Sequence, residues 1–264
     1  MTDSPQAVLG RIPGWEQAEI NELEGGLTNR TWLVNVCDQK GVLKIDAAPR
    51  AAPYNHRLAE QAVQSVAANA ALAGLVIYAD DVVILTEYVD GEVWTAADVR
   101  IDDNLEELAS LLQGLHSLPL TGRRFNAVAA ANRYVAEVGV GAADTVGHCV
   151  NIIRTQHAPH DPCFCHNDLV AENIIATPDL RLLDWEYACD NDPLFDIATI
   201  VAHHDLSNRR TAFFLDCYFN GNGERWHDKL EQQVTLYDAM LWLWYASRPD
   251  PDPQQLLAIE SRLA

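Results

Sequence analysis

Residues 164 to 188 read FCHNDLVAENIIATPDLRLLDWEYA, and the fold turns on how this stretch is read. Ile174 to Ala176 and Arg181 to Asp184 are short β-favouring runs separated by Thr177-Pro178-Asp179-Leu180, whose Pro-Asp pair is turn chemistry. The spacing predicts an antiparallel hairpin in which Ala176 faces Arg181 and Asn173 faces Asp184. An amide oxygen and a carboxylate then lie side by side at its open end, with Asp168 five residues upstream in the approaching loop. That leaves one carboxylate to accept a proton, and an oxygen pair suited to Mg²⁺, a hard cation commonly held by one or two carboxylates together with substrate phosphates. Phosphoryl transfer requires this division of labour.

In spacing, residue type and order together, H-x-D-x-x-x-x-N followed by D-W-E resembles the catalytic and metal-binding loops of the protein-kinase-like small-molecule kinases. In detail, HNDLVAEN and LLDWEYACDNDPLFDIA resemble the choline and ethanolamine kinase branch, with the aminoglycoside phosphotransferases as cousins. The resemblance runs from about Asn21 to Tyr245. It implies a two-lobed α+β fold: a nucleotide-binding lobe over residues 1–90, with a five-stranded antiparallel sheet and a helix, and a mostly helical catalytic and substrate-binding lobe over residues 91–264. It also implies ATP and Mg²⁺. Asp168 would accept or orient the proton of the substrate hydroxyl, with His166 buttressing the loop, while Asn173 and Asp184 hold the metal. Asp196, in DPLFDIA, corresponds to an aspartate that ties the catalytic loop down; as a residue type it is equally a helix cap.

Upstream, Ile20 to Leu23, Thr31 to Val36, Val42 to Ile45, Leu75 to Tyr78 and Val82 to Tyr88 are the five strand-like runs. Between the first two lies Glu24-Gly25-Gly26-Leu27-Thr28-Asn29. Glycines there allow backbone amides to approach phosphate oxygens, although a Gly-Gly between strands is by itself a turn signal. Strand, glycine loop, strand, then a strand bearing Lys44 is the order of the resembled nucleotide lobe. That order assigns Gly25, Gly26, Thr28, Asn29 and Lys44 to the phosphates. Asn55 to Ala73 reads as a helix with Leu58, Ala62, Val66 and Ala70 on one face and Gly74 as its stop. Its one acid, Glu60, matches the glutamate that orients the phosphate-binding lysine in kinase folds. In the resembled fold Glu87 to Gly91, with the backbone of Glu87 and Val89, corresponds to the hinge that holds adenine; a plain interdomain linker would leave the same residues.

Beyond the hinge the pattern turns helical. Leu105, Leu108, Leu111, Leu112 and Leu115 give an amphipathic helix ending at His116, read as a packed or capping histidine. Helical runs follow over 126–156, 196–204, 210–219, 226–247 and 253–263. In the run before residue 247, Trp242 and Tyr245 share a face at i, i+3, and two such rings can wall a quaternary ammonium by cation–π attraction, though core packing is the default for aromatics here. The resembled choline kinases carry a W-x-x-W pair in this region, and Tyr187 corresponds to a further aromatic of the same pocket. One departure stands out. His203 occupies the position of a carboxylate in animal choline kinases, leaving Glu186 or Asp205 to supply negative charge and opening ethanolamine and thiamine as acceptors.

With 264 residues, 48% hydrophobic content, a formal charge of −20 and a pI near 4.6, the chain is long enough for one large domain or two lobes. The acidic balance argues against nucleic acid and anionic membranes as partners, because both are polyanions; it is compatible with small cationic ligands and is first of all the mark of a solvated surface. Neither a secretory signal nor a membrane span is read in the sequence, and six cysteines without framework spacing are expected as reduced thiols in the cytoplasm. Cys163-Phe164-Cys165-His166 is a C-x-C without a second pair, so buried structural thiols are expected over a metal cluster. The expected activity is ATP-dependent phosphorylation of a small cationic alcohol, choline or ethanolamine, with thiamine kinase, aminoglycoside O-phosphotransferase and a non-catalytic nucleotide-binding module as alternatives.

Overall fold

The computed structural model describes residues 4–23, 30–46, 56–139, 142–155, 159 and 161–263. The chain forms two compact units, Met1–Trp94 together with Glu172–Ala188, and Thr95–Ala171 together with Cys189–Ala264. The hairpin that opened the sequence analysis thus groups with the N-terminal residues, and the second unit starts at Thr95.

In the first unit, strands β1 (Glu19–Leu23), β2 (Arg30–Val36), β3 (Gln39–Ile45), β4 (Val76–Ala79) and β5 (Val83–Glu87) form one antiparallel sheet in the order β1-β2-β3-β5-β4. Helix α1 (Pro5–Leu9) and the turn after it bury Val8, Leu9, Ile12 and Trp15 against Trp32, Val34, Leu43 and Leu85 of the sheet. Helix α2 (Arg57–Asn69) departs from its expected face. Leu58 and Val66 are 42% and 38% exposed, and the inward residues are Arg57, Glu60, Val63, Gln64 and Ala67. Buried polar groups are tolerated when they are paired, and these are: Gln64 donates to the Gly74 carbonyl at 2.9 Å, and Arg57 is held by two carboxylates.

A second, three-stranded sheet in the same unit joins β6 (Glu92–Val93), β8 (Ile174–Ala176) and β9 (Leu180–Leu182). The hairpin register differs by one residue from the expected one: Ala176 pairs with Leu180, Ile175 with Arg181 and Ile174 with Leu182. Leu180 and Leu182 are both buried, which draws Leu180 out of the turn and into the strand. The Leu183 amide then donates to the Asn173 carbonyl at 2.8 Å. Asp184 does not face Asn173 across the ladder, because its backbone leaves the strand in the left-handed region at φ 59°, ψ 73°. Gly91 fixes the approach of β6: a Cβ there would stand 2.3 Å from the Ala176 carbonyl oxygen.

The second unit is mostly helical. Helix α3 (Asp102–His116) buries its leucines as the spacing predicts, and packs against α7 (Asn208–Tyr218). Helices α4 (Ala127–Glu137), α5 (Ala143–Thr155), α6 (Pro193–His203) and α9 (Pro253–Leu263) pack around α8 (His227–Ala246), directly or through one another. Their core includes Ala130, Cys149, Phe195, Leu236, Tyr237, Trp242, Leu243 and Ile259. Two short strands, β7 (Cys163–Cys165) and β10 (Cys189–Asn191), pair antiparallel and launch the loop at His166. No helix among the described residues is long and apolar enough to cross a membrane.

Candidate active site

Each unit gathers its own set of residues. In the first, β3 carries Lys44, whose ammonium lies 2.8 Å from the Asp184 carboxylate. Burial works to lower the Lys44 pKa, but the charges of Asp184, Glu60 and Glu186 outweigh it, and the net shift is upward. Lys44 is therefore held as a cation. The expected Lys44–Glu60 ion pair is not formed. Glu60 instead binds Arg57 at 2.6 Å, and Arg57 also donates to Asp46 at 2.7 and 3.0 Å, all three side chains being buried. A guanidinium presents five donors in a planar fork and can satisfy two carboxylates at once, which an ammonium on a mobile stem does less well. Glu60 still acts on Lys44 through space.

Asn173 ends the short helical turn Ala171–Asn173 immediately before β8, and Asp184 follows β9. One amide oxygen and one carboxylate at the end of one hairpin make an oxygen-only donor set of the type hard divalent cations take. Glu186 is buried and Tyr187 half-buried in the turn that follows Asp184. Glu87 ends β5, exposed, its carboxylate accepting from the Leu75 amide at 3.2 Å, and Val89 is buried. Gly25, Gly26, Thr28 and Asn29 lie outside the described residues.

In the second unit, the Asp196 carboxylate receives the His166 amide at 2.9 Å and the Asn167 amide at 2.7 Å. Asp196 sits in the first turn of α6; Asp192 is that helix's N-cap, accepting from the Leu194 amide, which leaves Asp196 for the loop. Asn167 takes a positive φ of 65°, a conformation asparagine tolerates better than most residues, and the chain then turns to present Asp168 half-buried, with His166 fully buried behind it. On the far side of Asp168, His204 Nε2 accepts the Ala171 amide at 3.1 Å. Burial, with His203 and Arg100 nearby, brings His204 down to about 4, so its ring stays neutral and keeps the lone pair this bond uses. Arg100 in turn donates twice to the His204 carbonyl.

His116 extends the support of Asp196. Its Nε2 lies 3.0 Å from the carboxylate and its Nδ1 2.7 Å from the Tyr218 hydroxyl. Tyr237 joins His203, one of the predicted substrate residues of this unit. Its hydroxyl bonds His203 Nδ1 at 2.8 Å, and its pKa is pushed well above the usual range by burial and then by Asp168, Asp238 and Tyr245. Tyr245 is half-buried and Trp242 is 3% exposed within the α8 core, its indole N–H without a hydrogen-bond partner among the described residues.

Sequence reasoning missed Arg57, His204 and Tyr237 as parts of these sets. The signal for Tyr237 was present: it lies two helical turns before Tyr245 at i, i+8, on the same face. For Arg57 half of the signal was present, Glu60 lying at i, i+3, while Asp46 is eleven residues away; for His204 it was absent, because the amide it holds is 33 residues upstream.

One unit thus pairs Lys44 with Asp184, and the other pins the loop that carries Asp168. Residues 19–243 match the phosphotransferase enzyme family, and the chain belongs to it. Protein LicA of Haemophilus influenzae is 29% identical over 223 residues, 80% of this chain and 65% of that protein, so the chain spans just under two thirds of this relative's length. A thiamine kinase of Escherichia coli O81 (strain ED1a) is 30% identical over 132 residues, 48% of this chain and 46% of that protein. Choline kinase LicA from Streptococcus pneumoniae shares the fold, with a TM-score of 0.79 at 19% identity over 97% of this chain and 95% of that one.

Proposed function

We propose that the protein transfers the γ-phosphoryl group of ATP to the hydroxyl of a small cationic alcohol, with choline the first candidate and ethanolamine next. The observation that carries this reading is the fixing of the Asp168 loop by Asp196 before it and His204 after it. Phosphoryl transfer depends on positioning and charge neutralisation more than on covalent chemistry. Asp168 takes the hydroxyl proton as the acceptor oxygen bonds to the γ-phosphorus, and the bond to the β–γ bridging oxygen breaks to release ADP. Lys44, kept charged, and the backbone of Gly25, Gly26, Thr28 and Asn29 would hold phosphate oxygens, and the backbone of Glu87 and Val89 the adenine. Asn173 and Asp184 would hold Mg²⁺, which when bound neutralises charge on the transferring phosphoryl group.

For the acceptor, Asp168, His203, Tyr237 and Tyr245 would supply an acidic and aromatic surround in the second unit, with Trp242 as a further proposed contributor. The relatives support a cationic alcohol, since both choline and thiamine carry a quaternary nitrogen and a primary hydroxyl. A second reading, thiamine, is favoured by His203, an imidazole bonded to Tyr237 where a carboxylate would favour the compact ammonium of choline. Reduced thiols and an ATP requirement support a cytoplasmic setting.

The test is steady-state ADP release with Mg²⁺-ATP against choline, ethanolamine, thiamine and kanamycin, with Asp168→Ala beside the wild type. Turnover with choline or ethanolamine that falls by at least ~10² in Asp168→Ala is the expected result. Turnover with thiamine or kanamycin alone keeps the mechanism and replaces the acceptor. ATP binding without turnover on any of the four, with Asp168→Ala indistinguishable from wild type, overturns the reading in favour of a nucleotide-binding module.

A further inference from the structure

Cys163 and Cys165 take no part in the reaction proposed above. Both lie on β7, where residues two apart face the same side, and their sulfurs are 3.5 Å apart. Two thiolates each 2.3 Å from a tetrahedral zinc ion stand about 3.8 Å apart, so this pair already has nearly the separation that chelation needs, whereas a disulfide closes to about 2.05 Å. The sequence lacks the second pair of a zinc motif, but the fold supplies a third donor. His116, at the end of α3, brings a ring nitrogen within 4.8 Å of both sulfurs.

The surroundings of His116 suit that role. Asp196 can only accept when ionised, so the proton sits on Nε2 and the lone pair on Nδ1, which now receives the Tyr218 hydroxyl. A carboxylate behind an imidazole is the common outer support of a metal-bound histidine. The two thiols now donate to the backbone carbonyls of Asn191 and Asp192 at 3.6 to 3.8 Å, weak S–H bonds that are readily given up. Cys163 is half-buried and gives access, while Cys165 is buried with its thiol held well above the usual range, first by burial.

We propose that Cys163, Cys165 and His116 form a site for a thiophilic divalent cation of the zinc class, with water completing the tetrahedron. Binding there ties α3 to β7 at the residue immediately before the His166–Asp168 loop. The group His227, Asp228 and Glu231 at the start of α8, with its two acids exposed, contains no sulfur and serves as the control.

The full-length protein, stripped with a chelator and kept reduced with a phosphine, is titrated with Cd²⁺ and read by thiolate-to-cadmium absorption in the ultraviolet. It is then titrated with Zn²⁺ in competition with a chromophoric chelator. One equivalent with a thiolate band is expected. Cys163→Ser and Cys165→Ser should each weaken the band to about half, one of two thiolates being lost, and weaken zinc binding roughly tenfold or more, and His227→Ala/Glu231→Gln should leave both readouts unchanged. Cys163→Ser lies outside the catalytic loop, so retained ADP release by that variant shows that it folds. Absence of the band in the wild type, or zinc affinity equal in Cys163→Ser, or affinity lost only in the α8 variant, overturns the site.

Discussion

His204 holds the loop only while its ring is neutral. Its Nε2 accepts the Ala171 amide, and protonation would turn that acceptor into a second donor facing an N–H. An unfolded histidine titrates near 6.5, and in the fold burial, His203 and Arg100 bring His204 down to about 4. Between these values the unfolded chain binds more protons than the folded one. The stability linked to His204 is therefore fully present above about pH 6.5 and is lost as pH falls toward about 4, at up to about 1.4 kcal/mol per pH unit. Urea unfolding at pH 7.5 and pH 5 measures this directly. His204→Gln keeps an acceptor and removes the titration, so its loss between the two pH values should be the smaller; equal losses would place the acid sensitivity elsewhere. No residue near His204 in sequence advertised this role, because the amide it holds lies 33 positions upstream. Asp196 was more legible, since the DPLFDIA pattern pointed to the loop before the two amide bonds were seen.

At the scale of elements, α2 shows what periodicity can and cannot reveal. Its alanine-rich pattern fixed a helix but not its inward face, because the residues turned inward are Arg57, Glu60 and Gln64, which pattern reading assigns to solvent. Arg57 is fully buried between Asp46 and Glu60. Arg57→Ala would leave two buried carboxylates uncompensated, and a loss of about 3–5 kcal/mol is expected from urea unfolding at neutral pH. Arg57→Lys should recover part of that, since an ammonium restores charge but not the fork that reaches both acids. A loss below about 1 kcal/mol in Arg57→Ala would mean that the three side chains do not form the buried cluster seen here. The hairpin teaches the same lesson about register. Both strands were legible, yet the one-residue slip came from Leu180 seeking burial, an energy that turn chemistry alone does not contain. Gly91→Ala tests the neighbouring ladder: its Cβ would meet backbone rather than a movable side chain, so a loss of about 1–3 kcal/mol is expected in the same assay.

At the scale of the whole molecule, each unit has its own apolar core, yet both are discontinuous in sequence, because the first takes Glu172–Ala188 from within the second. A boundary read from composition near residue 90 could not reveal this, because the returning hairpin carries the same β-like pattern as the strands it joins. The loop with Asp168 and the residues that hold its support are therefore on one unit, while Lys44 keeps its partner Asp184 on the other. The property that both units share is charge, a formal −20 over 264 residues. Such a field attracts a cationic acceptor and repels the nucleotide, and it reaches about 30 Å at 10 mM salt but only about 8 Å at 150 mM. If it guides the acceptor, kcat/KM for choline should fall about threefold to tenfold between those ionic strengths, at saturating Mg²⁺-ATP. A neutral isostere, 3,3-dimethylbutanol, has the same shape and hydroxyl without the charge, and its kcat/KM should stay nearly constant. Parallel loss for both alcohols would place the salt effect on the nucleotide or on the fold. Loss for choline alone would show that the acidic surface contributes to recognising the acceptor.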